Sequence, residues 1–258
     1  RVLSVNFLNQ CEVYESAFLP FPYMSGFQKM LKTLNRVSSL FALLLLSYGL
    51  FSNMAFSKPA LIPSPPQVSA SSYILLDAAS GEVIVEHESE VQLPPASLTK
   101  MMTAYIVENE VAQGNVNLYD EVPVSVKAWK TGGSKMFIKE GTKVLLEELL
   151  KGVIIQSGND ASVALAEYVA GSEEAFADVM NQQAILLGMT NSSFMNATGL
   201  PSDSHYSTAS DLAKLALAII NDFPDQYSLY SEKYFTYNNI RQPNRNRLLW
   251  RDKSVDGL

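Results

Sequence analysis

The order of the periodic patterns along this chain constrains its fold more than any other feature. Residues Ser72–Asp77 and Glu82–Glu86 flank a turn that contains Gly81, which predicts a β-hairpin. Residues Tyr234–Tyr237 predict a further strand near the end of the chain. Between them, five segments have apolar residues at helical spacing: Leu98–Glu110, Val144–Ile155, Ala161–Val169, Glu173–Leu187 and Ala209–Asn221. Strands, then a cluster of helices, then strands indicate an α+β fold with an antiparallel sheet rather than alternating βαβ units.

The composition excludes several classes of function. The chain has 258 residues, of which 47% are apolar and 17% charged, as in globular proteins. With 19 Lys and Arg against 26 Asp and Glu, the net charge is −7, so no broad basic field is available for binding nucleic acid. One cysteine, Cys11, and two histidines, His87 and His205, are too few for a zinc finger or a disulfide framework. No metal or cofactor is predicted, and both histidines are expected at the surface.

A basic segment followed by a short apolar run predicts export. Lys29, Lys32 and Arg36 precede the apolar run Leu40–Phe51. This run is shorter than the ~20 apolar residues that cross a bilayer, and it suits the core of a signal peptide. We therefore predict a signal peptide over residues 30–57, with an uncleaved membrane anchor as the alternative. Either arrangement places the body of the chain in the periplasm or on the outer face of the cytoplasmic membrane.

The remaining boundaries follow from the same segment. Residues 1–29 have neither periodicity nor a motif, and they are interpreted as an upstream extension because Met30 opens a conventional signal peptide. A proline-rich stretch over residues 58–70 predicts an extended linker. Residues 71–258 are then expected to form the folded domain.

The chemistry is predicted to lie in a Ser-x-x-Lys pattern that occurs once in the chain. Ser97 and Lys100 follow two prolines and share one face at the start of a predicted helix. A serine hydroxyl needs a base to become a nucleophile, and two histidines leave little material for a Ser-His-Asp triad. A lysine can act as that base near neutral pH if burial or a nearby cation lowers its pKa. The structural alternative is that Ser97 only caps the helix and Lys100 is exposed.

A second polar group is predicted at the junction of two helices. Ser157-Gly158-Asn159 lies between the helix that ends near Gln156 and the helix that starts near Asp160. The functional interpretation is that Ser157 carries a proton toward the leaving amine, while Asn159 holds the lysine and the substrate amide. The alternative is an ordinary end and restart of a helix, with the glycine permitting the turn.

These patterns together resemble the low-molecular-mass penicillin-binding proteins, the D-alanyl-D-alanine carboxypeptidases related to serine β-lactamases. The resemblance covers residues 72–258 and rests on three blocks: Pro95–Met101, Gln156–Ala161, and Asn244–Asn246 with Leu248–Trp250. It implies a β-lactamase/transpeptidase-like fold. It also implies that Ser97 is the acylated nucleophile, Lys100 its base, and Ser157 with Asn159 the second motif. The backbone N–H of Ser97 would supply half of the oxyanion hole.

The third motif of that family, Lys-Thr-Gly on a strand, is not assigned within this chain. One Lys-Thr-Gly occurs at residues 130–132, but it precedes Ser157 and leads into further glycine and serine, so we interpret it as a surface turn. The family's motif would follow a stretch that resembles Val255–Leu258. We therefore expect that the chain is a fragment without its C-terminal strands, and that the uninterrupted gene encodes Lys-Thr-Gly directly after Leu258.

The resemblance implies a serine-type carboxypeptidase that trims peptidoglycan stem peptides ending in D-Ala-D-Ala through an acyl-enzyme. β-Lactams would act as inhibitors, and membrane association would come from a segment after Leu258. A serine β-lactamase is one alternative, although the second motif reads Ser-Gly-Asn and no deacylating Glu-x-x-Leu-Asn segment follows it. A non-catalytic wall-binding protein of the same fold is the other. Arg241, Arg245 and Arg247 are either anchors for an anionic peptide terminus or solvated loop residues.

Overall fold

The structure is a computed structural model that describes Ser64 and residues 68–257. The predicted signal peptide over 30–57, the upstream extension and most of the linker lie outside the described residues. The chain divides into two units, residues 1–64 and 65–258. All that follows concerns the second unit.

Helices account for most of the regular structure, and their boundaries follow the predicted periodicity. The helices are α1 (Thr99–Ala112), α2 (Val126–Lys130), α3 (Leu146–Gln156), α4 (Asn159–Ala170), α5 (Glu173–Leu186), α6 (Ala209–Asp222) and α7 (Pro224–Tyr227). Short 3₁₀ turns lie at Ala96–Leu98, Ser228–Ser231 and Arg247–Trp250. The predicted helices are confirmed with one correction. The segment that was expected to be helical from Val144 begins as a strand, because its first residues pair with a strand earlier in the chain.

The strands form antiparallel pairs, and the first of these pairs is the predicted hairpin. Strand β1 (Tyr73–Leu76) pairs with β2 (Val83–His87), β3 (Glu121–Pro123) with β4 (Lys143–Leu145), and β5 (Tyr234–Tyr237) with β6 (Ile240–Pro243). Within the described residues, each pair is a separate two-stranded sheet. Isolated two-stranded ribbons are marginally stable. Their stability here must therefore come from packing against the helices.

Helix α1 lies between two hydrophobic clusters and contributes to both. Ala104 and Val107 pack in a cluster with residues of α3 and α4. Met102 and Ile106, on the other side of α1, pack in a cluster with residues of α5 and α6. Because both sides of α1 are buried, the start of this helix is held in place by the core of the domain. No helix in the described part of the chain has the length and apolarity to cross a membrane.

Candidate active site

Ser97 lies in the 3₁₀ turn that leads into α1, and its side chain is exposed. The residue before it, Ala96, has a left-handed backbone conformation with φ 47°. Such a conformation costs a residue with a Cβ about 1 kcal/mol or more and is concentrated at functional sites. The structural alternative for Ser97 is wrong, since neither the turn nor α1 begins with a side-chain cap. Instead, the Ser97 hydroxyl faces a lysine.

Lys100 is the buried base candidate, and only 4% of its surface is exposed. Its Nζ donates hydrogen bonds to the Thr198 carbonyl at 2.6 Å and to the Ser97 Oγ at 3.4 Å. Burial, together with a smaller contribution from the positive charge of Arg245, lowers the pKa of Lys100 to about 8. An amine with this pKa is neutral in a substantial fraction of molecules near physiological pH, so it can accept a proton from the serine.

Ser157 is brought to the same place from the end of α3. Its backbone is left-handed with φ 61°, which turns the chain between α3 and α4. The Ser157 Oγ is buried and has no hydrogen-bond partner among the described residues. A buried hydroxyl without a partner is unfavourable unless something else satisfies it, and a substrate group can do so. Ser157 therefore has a free hydroxyl at the site.

Ser97, Lys100 and Ser157 line one cavity of about 520 Å³. A cavity of this size suits a small molecule or the end of a peptide. Arg245 and Asn244 line the same cavity, and the Arg245 side chain is exposed. One of the three arginines considered from the sequence thus lies at the wall of the cavity that contains Ser97 and Lys100.

Asn159 lies at the start of α4, but its amide does not contact Lys100. Its Nδ2 donates to the Gly132 carbonyl at 2.7 Å, and its backbone N–H donates to the Ser134 carbonyl at 2.7 Å. The expectation that Asn159 holds the lysine is therefore wrong for this structure, because the Thr198 carbonyl takes that place. The loop after α2 explains the difference, since its Gly132 carbonyl accepts the hydrogen bond of the Asn159 side-chain amide.

The Lys-Thr-Gly at residues 130–132, which was interpreted as a surface turn, spans the end of α2 and the start of this loop. Lys130 and Gly132 are indeed exposed. The loop nevertheless packs closely on the second motif, because a Cβ at Gly133 would come within 2.5 Å of the Asn159 Nδ2. The loop is therefore both a surface turn and a support for Asn159. The two consecutive glycines were the sequence signal for this close approach.

Asp160 helps to hold the second motif, Ser157-Gly158-Asn159, in place. Its carboxylate is fully buried and accepts hydrogen bonds from the backbone N–H groups of Met136, Phe137 and Ile138. Several N–H donors compensate a buried carboxylate for its lost hydration. This network, together with the turn at Gly158, holds the junction between α3 and α4 in place.

His205 corrects the expectation that both histidines are on the surface. Its side chain is only 4% exposed, because the loop that carries it folds back against the start of α1. His87, at the end of β2, is exposed as expected. Among the described residues, no group of three or more His, Cys, Asp or Glu could hold a metal ion.

Comparison with known proteins assigns this architecture. A family model described as D-alanyl-D-alanine carboxypeptidase matches residues 60–258. The D-alanyl-D-alanine carboxypeptidase DacC of Escherichia coli K12 is 47% identical over 216 residues, which cover 81% of this chain and 54% of that protein. The chain thus spans about half the length of the curated relatives that it matches.

Two solved structures have the same fold. Penicillin-binding protein 5 of Haemophilus influenzae superposes with a TM-score of 0.73 at 42% identity and covers 76% of this chain and 58% of its own. Penicillin-binding protein D2 of Listeria monocytogenes, in an ampicillin-bound form, superposes with a TM-score of 0.67 at 26% identity, covering 76% of this chain and 80% of that one. These similarities confirm the α+β, β-lactamase/transpeptidase-like fold.

Proposed function

This chain belongs to the family of D-alanyl-D-alanine carboxypeptidases, and from that premise we propose that it removes the terminal D-alanine from peptidoglycan stem peptides through an acyl-enzyme on Ser97. One observation carries the proposal. A serine hydroxyl lies 3.4 Å from the amine of a lysine that is 4% exposed. Burial lowers the pKa of the Lys100 amine, so the amine can act as a base, and its short distance to the Ser97 Oγ lets it act on this hydroxyl.

The acylation step uses three side chains. The neutral amine of Lys100 accepts the proton of the Ser97 hydroxyl as its Oγ attacks the carbonyl carbon of the penultimate D-alanine. The resulting oxyanion accepts a hydrogen bond from the Ser97 backbone N–H, close to the N-terminal end of α1. Ser157 then passes the proton taken up by Lys100 to the nitrogen of the departing D-alanine as the peptide C–N bond breaks, which leaves Lys100 neutral again. Water later attacks the ester carbonyl while Lys100 accepts its proton, and that proton is returned to the Ser97 Oγ as the C–O bond to the enzyme breaks.

The same attack would open the ring of a β-lactam, because the C–N bond of its amide breaks, the nitrogen takes up a proton, and the carbonyl carbon stays bound to the Ser97 Oγ as a stable ester. The ampicillin-bound form of the Listeria relative supports this expectation. Arg245, at the wall of the cavity, is suited to attract the carboxylate that both a β-lactam and the peptide terminus carry. We also propose that the signal peptide at 30–57 directs residues 71–258 to the periplasm, where such peptides occur.

Mass spectrometry after incubation with labelled penicillin tests the proposal in the full-length protein. We expect one adduct, located on the peptide that contains Ser97, and none in Ser97→Ala. The exposed turn serine in Ser80→Ala provides the control and should label as the unchanged protein does. Because Ser97 does not cap α1, its replacement should lower stability by less than the ~1 kcal/mol of a lost cap.

The outcome also distinguishes the alternatives. A stable adduct supports the carboxypeptidase, and rapid release of opened penicillin indicates a β-lactamase. Absence of any adduct in a folded protein indicates a wall-binding protein without turnover. An adduct that persists in Ser97→Ala would show that the nucleophile is misassigned.

A further inference from the structure

A short segment, Met195–Gly199, presents two backbone carbonyls to α1, and we call it the carbonyl segment. The Thr198 carbonyl accepts from the Lys100 Nζ at 2.6 Å, and the Ala197 carbonyl accepts from the Thr103 Oγ1 at 2.8 Å. The two donors lie one turn apart on α1. The carbonyl segment therefore runs along the first turns of the helix that carries the base.

The end of the carbonyl segment is fixed by its own side chain and by a glycine. The Asn196 Oδ1 accepts from the backbone N–H groups of Thr198 at 3.1 Å and Gly199 at 2.8 Å. Gly199 has φ 80°, and a Cβ there would lie 1.8 Å from the Ala96 carbonyl oxygen. This end of the segment therefore touches the turn that carries the nucleophile.

The beginning of the carbonyl segment is held by His205. Its Nδ1 accepts from the Met195 backbone N–H at 3.2 Å, and its Nε2 lies 2.7 Å from the Thr99 Oγ1. The Phe194 ring packs edge-on against the imidazole, with the ring centroids 5.8 Å apart. A single buried ring thus connects the carbonyl segment to the residue next to Lys100.

These contacts define the protonation state of His205. A backbone N–H can only donate, so Nδ1 must be without a proton. A neutral imidazole then carries its proton on Nε2, and this N–H donates a hydrogen bond to the Thr99 Oγ1. Burial lowers the pKa of His205, which keeps the ring neutral.

From this geometry we propose that His205 is a positioning residue for the reaction, because as the neutral Nε2–H tautomer it ties the carbonyl segment to Thr99 and so keeps the Thr198 carbonyl on the Lys100 amine. The proposal rests on the function proposed above. A neutral lysine amine has two N–H bonds and one lone pair. When one N–H is committed to the Thr198 carbonyl, the lone pair is restricted to directions that include the Ser97 hydroxyl.

The restriction matters because the lysine side chain is long and flexible. Its four-carbon chain has many rotamers, and restricting them to one costs conformational entropy. If the Thr198 carbonyl is free to move, that cost must be met during the reaction, and acylation slows. Binding of a penicillin before the reaction does not need the lone pair, so it should be unaffected.

Two substitutions of His205 separate its two hydrogen bonds. In His205→Asn, the amide oxygen can replace Nδ1 as the acceptor for Met195, but the bond to Thr99 is lost. In His205→Gln, the longer side chain can donate its amide N–H to Thr99 and turn its amide oxygen toward the Met195 N–H, so both hydrogen bonds can be restored. Thr99→Val removes the other partner of that bond. His87→Asn, at the exposed histidine, is the matched control.

Stopped-flow measurement with a fluorescent penicillin, in the full-length protein, gives the acylation rate constant and the preceding dissociation constant separately. We expect His205→Asn and Thr99→Val to lower the rate constant at least tenfold with a dissociation constant within twofold of the unchanged protein. His205→Gln should recover much of the rate, and combining His205→Asn with Thr99→Val should lower it no further. Folded His205→Asn with an unchanged rate constant would overturn the proposal.

A second measurement does not depend on any variant folding. ¹⁵N NMR of the histidine-labelled protein at pH 7 distinguishes the two neutral tautomers and the charged ring. We expect the Nε2–H form for His205, whereas an Nδ1–H tautomer or a charged ring would refute the inference. If the unchanged protein forms no penicillin adduct, the proposed function fails, and the NMR result still decides whether His205 forms the bridge.

Discussion

The strongest quantitative prediction concerns the pH dependence of acylation. Burial, with a contribution from Arg245, lowers the pKa of Lys100 to about 8. Only the neutral amine can accept the proton of Ser97. With this pKa about one tenth of the molecules carry a neutral amine at pH 7 and about nine tenths at pH 9. We therefore expect the acylation rate constant to rise about tenfold between these two pH values.

The assay is stopped-flow acylation by a fluorescent penicillin at constant ionic strength, at intervals of half a pH unit from 6 to 10. The carboxylate of the penicillin stays ionised over this range, so the change reports the protein. Below pH 8 the logarithm of the rate constant should rise with a slope near one, and above pH 8 it should level off. A rate constant that is flat or falls from pH 7 to pH 9 would refute the assignment of Lys100 as the base.

Arg245 provides an independent test of what lowers the pKa of Lys100. Its positive charge disfavours a second positive charge on Lys100, so Arg245→Gln should move the midpoint of the profile to higher pH. Arg241→Gln is the matched control, because the Arg241 guanidinium packs 3.6 Å from the centre of the Tyr234 ring on the β5–β6 pair. A midpoint that moves equally in both variants would mean that net charge, rather than this contact, sets it.

Two further predictions concern stability. Burial raises the pKa of Glu108 to about 8, so folding takes up a proton, and the free energy of unfolding falls as pH rises from the carboxyl's ordinary pKa to about 8. In urea unfolding, the stability of Glu108→Gln relative to the unchanged protein should therefore grow by ~3 kcal/mol between pH 5 and pH 8. A stability difference that stays constant over this range would contradict the burial argument. A Cβ at Gly199 meets the Ala96 carbonyl, whereas one at Gly171, which has a similar φ of 83°, meets nothing within 4 Å. Gly171→Ala should therefore lower the free energy of unfolding by ~1 kcal/mol, and Gly199→Ala should lower it by at least ~2 kcal/mol more. Gly199→Ala should also lose penicillin labelling. Equal losses of stability in urea unfolding would argue against the close approach of Gly199 to Ala96.

The sequence predicts what is encoded locally. Helices α4, α5 and α6 follow from apolar spacing within a few residues of their observed ends, and β5 is predicted with its observed boundaries. The Ser97–Lys100 pair is predictable for the same reason, since one helical turn brings both residues together. Strand β4 was missed because its pairing with β3 depends on residues about twenty positions earlier, which override the helical pattern at Val144.

The partners of the site come from distant parts of the chain and could not be predicted. Thr198 is 98 residues from Lys100, and His205 is 106 residues from Thr99. The polar composition around His205 suggested an exposed loop. The backbone pairs Leu93 with Ser207 and Ser193 with Tyr206, and these bridges fold the loop inward. Local composition carries no information about such pairings.

The position of α1 between two hydrophobic clusters has a consequence for how the domain melts. Because α1 packs in both hydrophobic clusters, the unfolding of one cluster removes packing contacts from the other, and the two clusters should unfold together. Heating should then give a single cooperative transition. Penicillin labelling and the helical circular dichroism signal should be lost at the same temperature. No intermediate should be populated that retains its helices but no longer reacts with penicillin.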